Sequence, residues 1–234
     1  GCSSIYGGSA TTCPYTTNDE GHGPAWANSL FEDNAEFGFG MMTSTLIKRR
    51  NLATRVQRIL KDDSIPKSKE LCASLQTWLE NPRDADKCEA CYDNCVRLLA
   101  DEKKNHKELA LLEEVIDVMP KLTQWVIGGD GWAYDIGYGG VDHVLAQGED
   151  INILVLDTEM YANTGGQQSK ATQMSAVAKF AAGGKRQMKK DMGKHMMGYK
   201  NIYVASIAVG ADPKQALKAI TEAESYNCLL YTSD

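Results

Sequence analysis

A chain of 234 residues, 43% hydrophobic and 24% charged, can bury one substantial core with room for an appendage. Its net charge of −6 argues against nucleic acid or an anionic membrane as the main partner. No apolar run approaches the ~20 residues that a membrane-spanning helix needs. The seven cysteines form no even framework, which points to a reducing compartment with thiols free or on metal. The opening GCSSIYGG lacks the basic and apolar parts of a signal peptide and has no initiator Met, so the chain is expected to be an internal piece of something longer.

Residues 1–42, rich in Gly, Ser, Thr and aromatics, read as a long loop leading into a helix. From Glu36 to Lys61 the spacing is helical: Met42, Leu46, Leu52, Val56, Ile59 and Leu60 recur mostly at three, four or multiples of these. Lys48-Arg49-Arg50 reads as a solvated face of that helix. Residues 62–105 are polar and charged, punctuated by Pro66 and Pro82, and are expected to form a helical insertion. Within them Cys88, Cys91 and Cys95 make a CxxCxxxC pattern. A metal site is one reading, but the three positions share one helix face running into Val96, Leu98 and Leu99, and structural zinc needs a fourth ligand. Buried thiols are the expected reading. Lys107 to Leu122 is an amphipathic helix with Leu109, Leu112, Val115, Ile116 and Met119 as its stripe.

The stretch from Val126 to Gln167 reads as strand, acidic turn, helix, strand, polar loop. Trp125-Val126-Ile127 is a short apolar run closed by Gly128-Gly129. A helix is expected from Tyr134 to Gln147, with Ile136, Val141, Val144 and Leu145 on its apolar face. Ile151 to Leu156 is rich in β-branched residues and apolar on both faces, as a buried parallel strand is. A right-handed crossover would set both strand ends on one edge of a parallel sheet. Asp130 would leave the first strand and Asp157-Thr158-Glu159 the second, so a carboxylate, a hydroxyl and a backbone carbonyl can meet on one small hard cation. Glycines beside Asp130 let the backbone approach a diphosphate, and the following helix N-terminus offers it N–H groups. The expectation is a magnesium-diphosphate clamp, although Asp-Gly by itself is more often an ordinary turn.

Beyond it, Lys170 to Gly183 is expected to be helical through Met174, Val177, Ala178 and Ala181. The basic segment GKRQMKKDMGKHMM that follows reads as a solvated helix rather than a partner surface. His22, His106, His143 and His195 occupy no motif that needs a titrating imidazole. Asn201 to Val209 is a third strand, and Pro213 opens a helix through Ala223.

The stretch from Gly129-Asp130-Gly131 through DTEMYANTGGQQSKAT resembles the thiamine-diphosphate motif of pyruvate:ferredoxin (flavodoxin) oxidoreductases. GCSSIYGG and GPAWANSLFEDNAEFGFGM are similar to the same family, so the likeness covers 1–60 and 107–226 well and the insertion poorly. It implies an open, mostly parallel, doubly wound α/β sheet spanning 1–227, with the 62–105 insertion. It also implies thiamine diphosphate, Mg2+ and a [4Fe–4S] cluster as cofactors. Asp130, Thr158 and the Met160 carbonyl would bind the magnesium, and Gly129 and Gly131 the diphosphate. Asn163 would hydrogen-bond cofactor or substrate and stands as the catalytic candidate. A lone Cys in a Gly/Ser loop is more often inert, but the resemblance assigns Cys2 as one of the four cluster thiolates. Cys13 matches no ligand position.

The family places a CxxC pair upstream of GCSSI and a fourth Cys after the last strand, both outside this sequence. The chain as it stands is therefore expected to hold no complete cluster and to be inactive alone. Residues 228–234 are expected to be foreign, because CLLYTS is what a widely used transposon sequencing adapter encodes. The implied reaction turns pyruvate and coenzyme A into acetyl-CoA and carbon dioxide, with electrons passing to ferredoxin or flavodoxin. Implied partners are the remaining domains of the same polypeptide and a second copy in a homodimer, in the cytosol or a hydrogen-producing organelle. A non-redox thiamine enzyme would share the clamp but need no GCSSI cysteine. A non-catalytic binding module would bind no thiamine diphosphate. A nicotinamide-binding domain would need GxGxxG after a strand, whereas Gly137-Tyr-Gly139-Gly140 lies within the expected helix.

Overall fold

The chain divides into two compact units, Met41–Leu122 and Gly1–Gly40 with Thr123–Asp234. The computed structural model describes residues 17, 19, 21, 23–27, 29–162, 164–226 and 229–233, with side chains for all of these except Phe31, Asn105 and 229–233.

The helical unit begins within α1 (Asn34–Lys61), whose residues up to Gly40 belong to the other unit. It continues through α2 (Lys69–Glu80), α3 (Ala85–Glu102) and α4 (Lys107–Glu113). It is thus wider than the expected insertion at 62–105. Ser68 caps α2 by accepting from the Leu71 N–H, and Asp84 caps α3 by accepting from the Lys87 N–H. Leu52, Val56 and Ile59 on α1, Leu71, Leu75 and Trp78 on α2, and Cys88, Cys91, Cys95 and Leu99 on α3 recur at helical spacing and join one buried core. Val96 falls off that stripe and is exposed.

Arg49 departs from the solvated face expected of its basic run. Its guanidinium donates to the carbonyls of Val118, Met119 and Pro120, and at 2.8 Å to that of Pro82. Trp78 Nε1 adds a buried bond of 2.9 Å to the Met119 carbonyl. The helix expected over Lys107 to Leu122 therefore stops at Glu113. A 3-10 turn (Ile116–Val118) follows, and the carbonyls of Val118 and of Met119 and Pro120 just beyond it face these side chains, with Val115 exposed.

The second unit is an open parallel sheet. Its elements after α1 are β1 (Trp125–Gly129), α5 (Tyr138–Ala146), β2 (Asn152–Leu156), the short pair β3 (Met160–Tyr161) and β4 (Gln167–Gln168), α6 (Met192–Met197), β5 (Tyr203–Ile207), α7 (Pro213–Ser225) and β6 (Leu229–Ser233). Sheet order is β1-β2-β6-β5, parallel throughout. Leu229–Ser233, part of the stretch expected to be foreign, runs as an inner strand between β2 and β5. Its Leu-Leu-Tyr-Thr has the composition a strand favours. Asn34 Nδ2 donates 2.8 Å to the Ile127 carbonyl, fixing the start of α1 against β1.

Two local expectations change. β1 runs on through Gly128 and Gly129, and the chain then enters a π-helical turn (Gly131–Ile136), closed by Gly137 N–H to the Trp132 carbonyl at 2.8 Å. The wider turn shifts the helical phase. Trp132, Ala133 and Tyr134 turn inward, while Ile136, expected on the apolar face, is 58% exposed. Trp132 folds back so closely that a Cβ at Gly128 would lie 2.3 Å from its ring.

The helix expected over Lys170 to Gly183 does not form. Its backbone bonds go across a loop instead: Lys179 N–H to Gly166, Gln168 N–H to Lys179, Ser175 N–H to Lys185 and Lys185 N–H to Ala176. Ser175, Phe180 and Gly184 have positive φ, which a helix cannot carry. Met174 and Val177, expected to face a core, are exposed.

Candidate cofactor site

Gly129 pairs with Leu156 in the parallel register, so Asp130 and Asp157 leave the same sheet edge. Asp130 is fully buried. Its Oδ1 accepts from Thr158 Oγ1 at 3.0 Å and its Oδ2 from Ser169 Oγ at 2.5 Å. Thr158 Oγ1 also lies 3.2 Å from the Met160 carbonyl oxygen. A hydroxyl has one proton, so Thr158 can donate to only one of these two oxygens at a time. Carboxylate, hydroxyl and carbonyl oxygens thus converge, a donor set that suits a hard divalent cation. Burial pushes the Asp130 carboxyl above its ordinary range, the Asp157 charge adds to this, and the Ser169 and Thr158 hydroxyls oppose it.

The segment carrying Thr158 and Met160 is held from several sides. Asp157 accepts from Tyr134 Oη at 2.9 Å and from the Glu159 N–H at 3.1 Å, and pairs with Lys189 Nζ at 2.8 Å. Glu159 adopts φ +60°, a left-handed conformation that costs a non-glycine residue about 1–3 kcal/mol. The Thr172 hydroxyl donates to the Glu159 carbonyl, and Lys189 lies 3.4 Å from its carboxylate. Gly131 is required by close approach: a Cβ there would meet the Tyr161 ring at 2.5 Å. Burial, with Asp135 nearby, pushes the Tyr161 phenol up to about 12.

The basic segment is solvated only in part: Arg186, Met188, Lys194 and His195 are exposed, and its end forms α6, but Lys185 and Lys190 turn inward. Lys185 is buried and donates to the carbonyls of Thr172 at 2.6 Å and Lys170 at 3.2 Å. Burial lowers its pKa. Lys190 Nζ sits 3.0 Å from the Tyr138 ring centroid, and burial together with the Lys170 charge brings it down to about 8.

Residues 112–229 match the family profile described as thiamine pyrophosphate enzyme, C-terminal TPP binding domain. The chain belongs to this family. The carboxyl-edge position of Asp130 agrees with where open parallel sheets bind ligands. Among curated relatives, the chain is 53% identical to the pyruvate-flavodoxin oxidoreductase of Klebsiella pneumoniae, over 97% of this chain and 19% of the relative. It is 53% identical to the pyruvate:ferredoxin oxidoreductase of Moorella thermoacetica, over 97% of this chain and 20% of that protein. It is 48% identical to the mitochondrial pyruvate dehydrogenase [NADP(+)] of Euglena gracilis, over 97% and 12%. The chain therefore spans about a fifth, or less, of the length of these relatives.

Of the residues expected from sequence, Asp130, Thr158 and Met160 come together, and Gly129 and Gly131 flank Asp130. Asn163 and Cys2 lie outside the described residues, as do Cys13, His22 and Cys228. The described cysteines Cys72, Cys88, Cys91 and Cys95 belong to the helical unit, and no group of three or more potential metal-ligating His, Cys, Asp or Glu occurs among the described residues. No described helix is long and apolar enough to cross a membrane. Sequence reasoning missed Ser169, Thr172, Tyr134 and Lys189. The Ser169-Lys-Ala-Thr172 tetrad was the available signal, since hydroxyls three apart in a turn can satisfy local N–H groups.

Proposed function

We propose that this chain carries the magnesium-thiamine diphosphate site of a pyruvate oxidoreductase. That enzyme would oxidatively decarboxylate pyruvate with coenzyme A to acetyl-CoA and carbon dioxide. The observation that carries the reading is the 53% identity across 97% of the chain to two relatives so named. The non-redox alternative has no such support. The convergence at Thr158 fits the metal: Asp130, Thr158 and the Met160 carbonyl would hold Mg2+, with backbone N–H groups around Gly129 and Gly131 facing the diphosphate. Asn163 would hydrogen-bond cofactor or substrate. When bound, thiamine diphosphate supplies the electron sink that decarboxylation requires.

The chain's own residues do three things. Asp130, buried and held at both oxygens, presents a fixed charge to the cation. Trp132 and Tyr134, both buried, keep the start of the π turn that follows Asp130 out of solvent. Asp157 and Lys189 hold the strained Thr158–Met160 backbone in place. Cys2 would be one ligand of a [4Fe–4S] cluster completed by residues outside this chain, and electrons would leave to ferredoxin or flavodoxin. Further domains and a second copy of the enzyme complete the reading, in the cytosol or a hydrogen-producing organelle.

The test is anaerobic turnover by the full-length protein. Pyruvate- and coenzyme A-dependent reduction of ferredoxin or flavodoxin is expected, and Asp130→Ala should abolish it. A protein that binds thiamine diphosphate with magnesium yet reduces no acceptor with pyruvate and coenzyme A would overturn the reading. Reduction of NADP+ instead would move the acceptor only.

A further inference from the structure

Ser169 lies on the loop after β4, outside the residues assigned to the metal, yet it reaches Asp130 across 39 residues of sequence. Its side chain is 4% exposed. Its Oγ accepts from the Ala171 N–H at 3.0 Å, so its own proton is directed elsewhere, and the acceptor it finds is Asp130 Oδ2 at 2.5 Å. Its backbone is fixed as well. The Ser169 N–H donates 2.9 Å to Thr172 Oγ1, whose proton goes to the Glu159 carbonyl. The bonds run from the Glu159 carbonyl through the Thr172 hydroxyl to the Ser169 backbone N–H, and the side chain of that fixed residue reaches Asp130 Oδ2.

The two oxygens of Asp130 are therefore unequal. Oδ2 is committed to a hydroxyl donor that cannot turn away without stranding a buried group. Oδ1 faces Thr158 Oγ1, which the Met160 carbonyl also approaches. Resting on the magnesium site proposed above, we propose that Ser169 is a positioning residue that commits Asp130 to bind the cation through Oδ1 alone. One-oxygen binding suits Mg2+, which demands a near-ideal octahedron, whereas Ca2+ readily takes both oxygens of a carboxylate. Ser169 thereby favours the smaller ion. Hydrogen bonds that orient ligands in this way are worth about 10–100-fold in metal affinity.

The experiment is calorimetric titration of Mg2+, and separately of Ca2+, into the full-length protein with saturating thiamine diphosphate. Ser169→Ala is expected to weaken Mg2+ by about 10–100-fold and Ca2+ by clearly less, so that the Mg2+-to-Ca2+ preference falls. Ser169→Cys, close in volume but a weak donor, should follow Ser169→Ala and carries the test if the alanine variant fails to fold. Ser169→Thr, which keeps the hydroxyl, should restore the preference. Melting temperatures without metal separate a merely structural role, which would lower stability and leave the ion preference unmoved. Unchanged Mg2+ affinity in both Ser169→Ala and Ser169→Cys, with wild type binding normally, would overturn the inference. Wild-type protein that binds no Mg2+ with the cofactor would instead sink the site reading itself.

Discussion

Asp130 combines full burial with a carboxyl group that accepts from two neutral hydroxyls. Such a charge costs stability without its cation. Asp130→Asn keeps the shape and can still accept from Ser169, so it should raise the melting temperature of the cofactor-free protein while abolishing magnesium-dependent thiamine diphosphate binding. A melt and a titration on one preparation check both halves, and a lowered cofactor-free melting temperature would show that the hydroxyls more than offset burial. Lys190 carries a pH signature of its own, set among Lys170, Asp135, Asp142 and the Tyr138 ring. Its folded pKa of about 8 lies below the ordinary 10.5. Between these values the unfolded chain binds more protons, so stability rises with pH across that window, and below it the cost of the buried charge is fully present. Wild type should therefore gain on Lys190→Met as pH rises from 8 toward 10.5, which paired melts across that range would show. At this scale Asp130, Thr158 and Met160 were legible because strand ends are legible. Ser169 and Lys189 were not, because no periodicity encodes where an irregular loop returns.

The elements divide along the same line. Helix α1 and the face of α3 that carries Cys88, Cys91 and Cys95 follow from spacing, because each has a buried face that the core enforces. β1, β2 and β5 follow from their apolar runs, whereas the two-residue strands β3 and β4 and the strand at Leu229–Ser233 were not expected. Nor were the π turn and the loop at 169–190. An extra residue in one helical turn, or a lysine amine satisfying carbonyls, breaks the repeat on which such reading depends. Arg49 is a further case: a residue in an ordinary basic run ends up ordering a helix terminus. Arg49→Lys keeps the charge but loses the planar fork that serves four carbonyls. It should cost about 1.5–3 kcal/mol, a typical worth of bonds to a charged group, read as a shift of the denaturation midpoint. The α3 thiols give a second check. Burial raises Cys91 and brings Cys95 up to about 12, leaving both as neutral, shielded thiols. Brief iodoacetamide treatment of native protein, read by peptide mass, should label Cys72 ahead of Cys88, Cys91 and Cys95. Early labelling of Cys95 would contradict the packed stripe.

For the whole molecule, the groups around the proposed metal come from residues 130, 158, 160 and 169, on one strand end, another strand end, a two-residue strand and a loop. No single element carries the site, so its ligand acts on their joint arrangement. A ligand that binds only the folded state stabilises it by mass action, by about 2.7 kcal/mol at a hundredfold excess over its dissociation constant. If Thr158 and Asp130 meet on magnesium, neither the metal nor thiamine diphosphate alone should deliver this, because each leaves the other's charge exposed or unmatched. Melts of the full-length protein should show a large upward shift with both present and little with either one. A chelator added after loading should return the melting temperature to its cofactor-free value. A full shift with thiamine diphosphate and chelator together would mean that the diphosphate is held by backbone and lysine donors. The convergence at Thr158 would then serve only to order the strand ends.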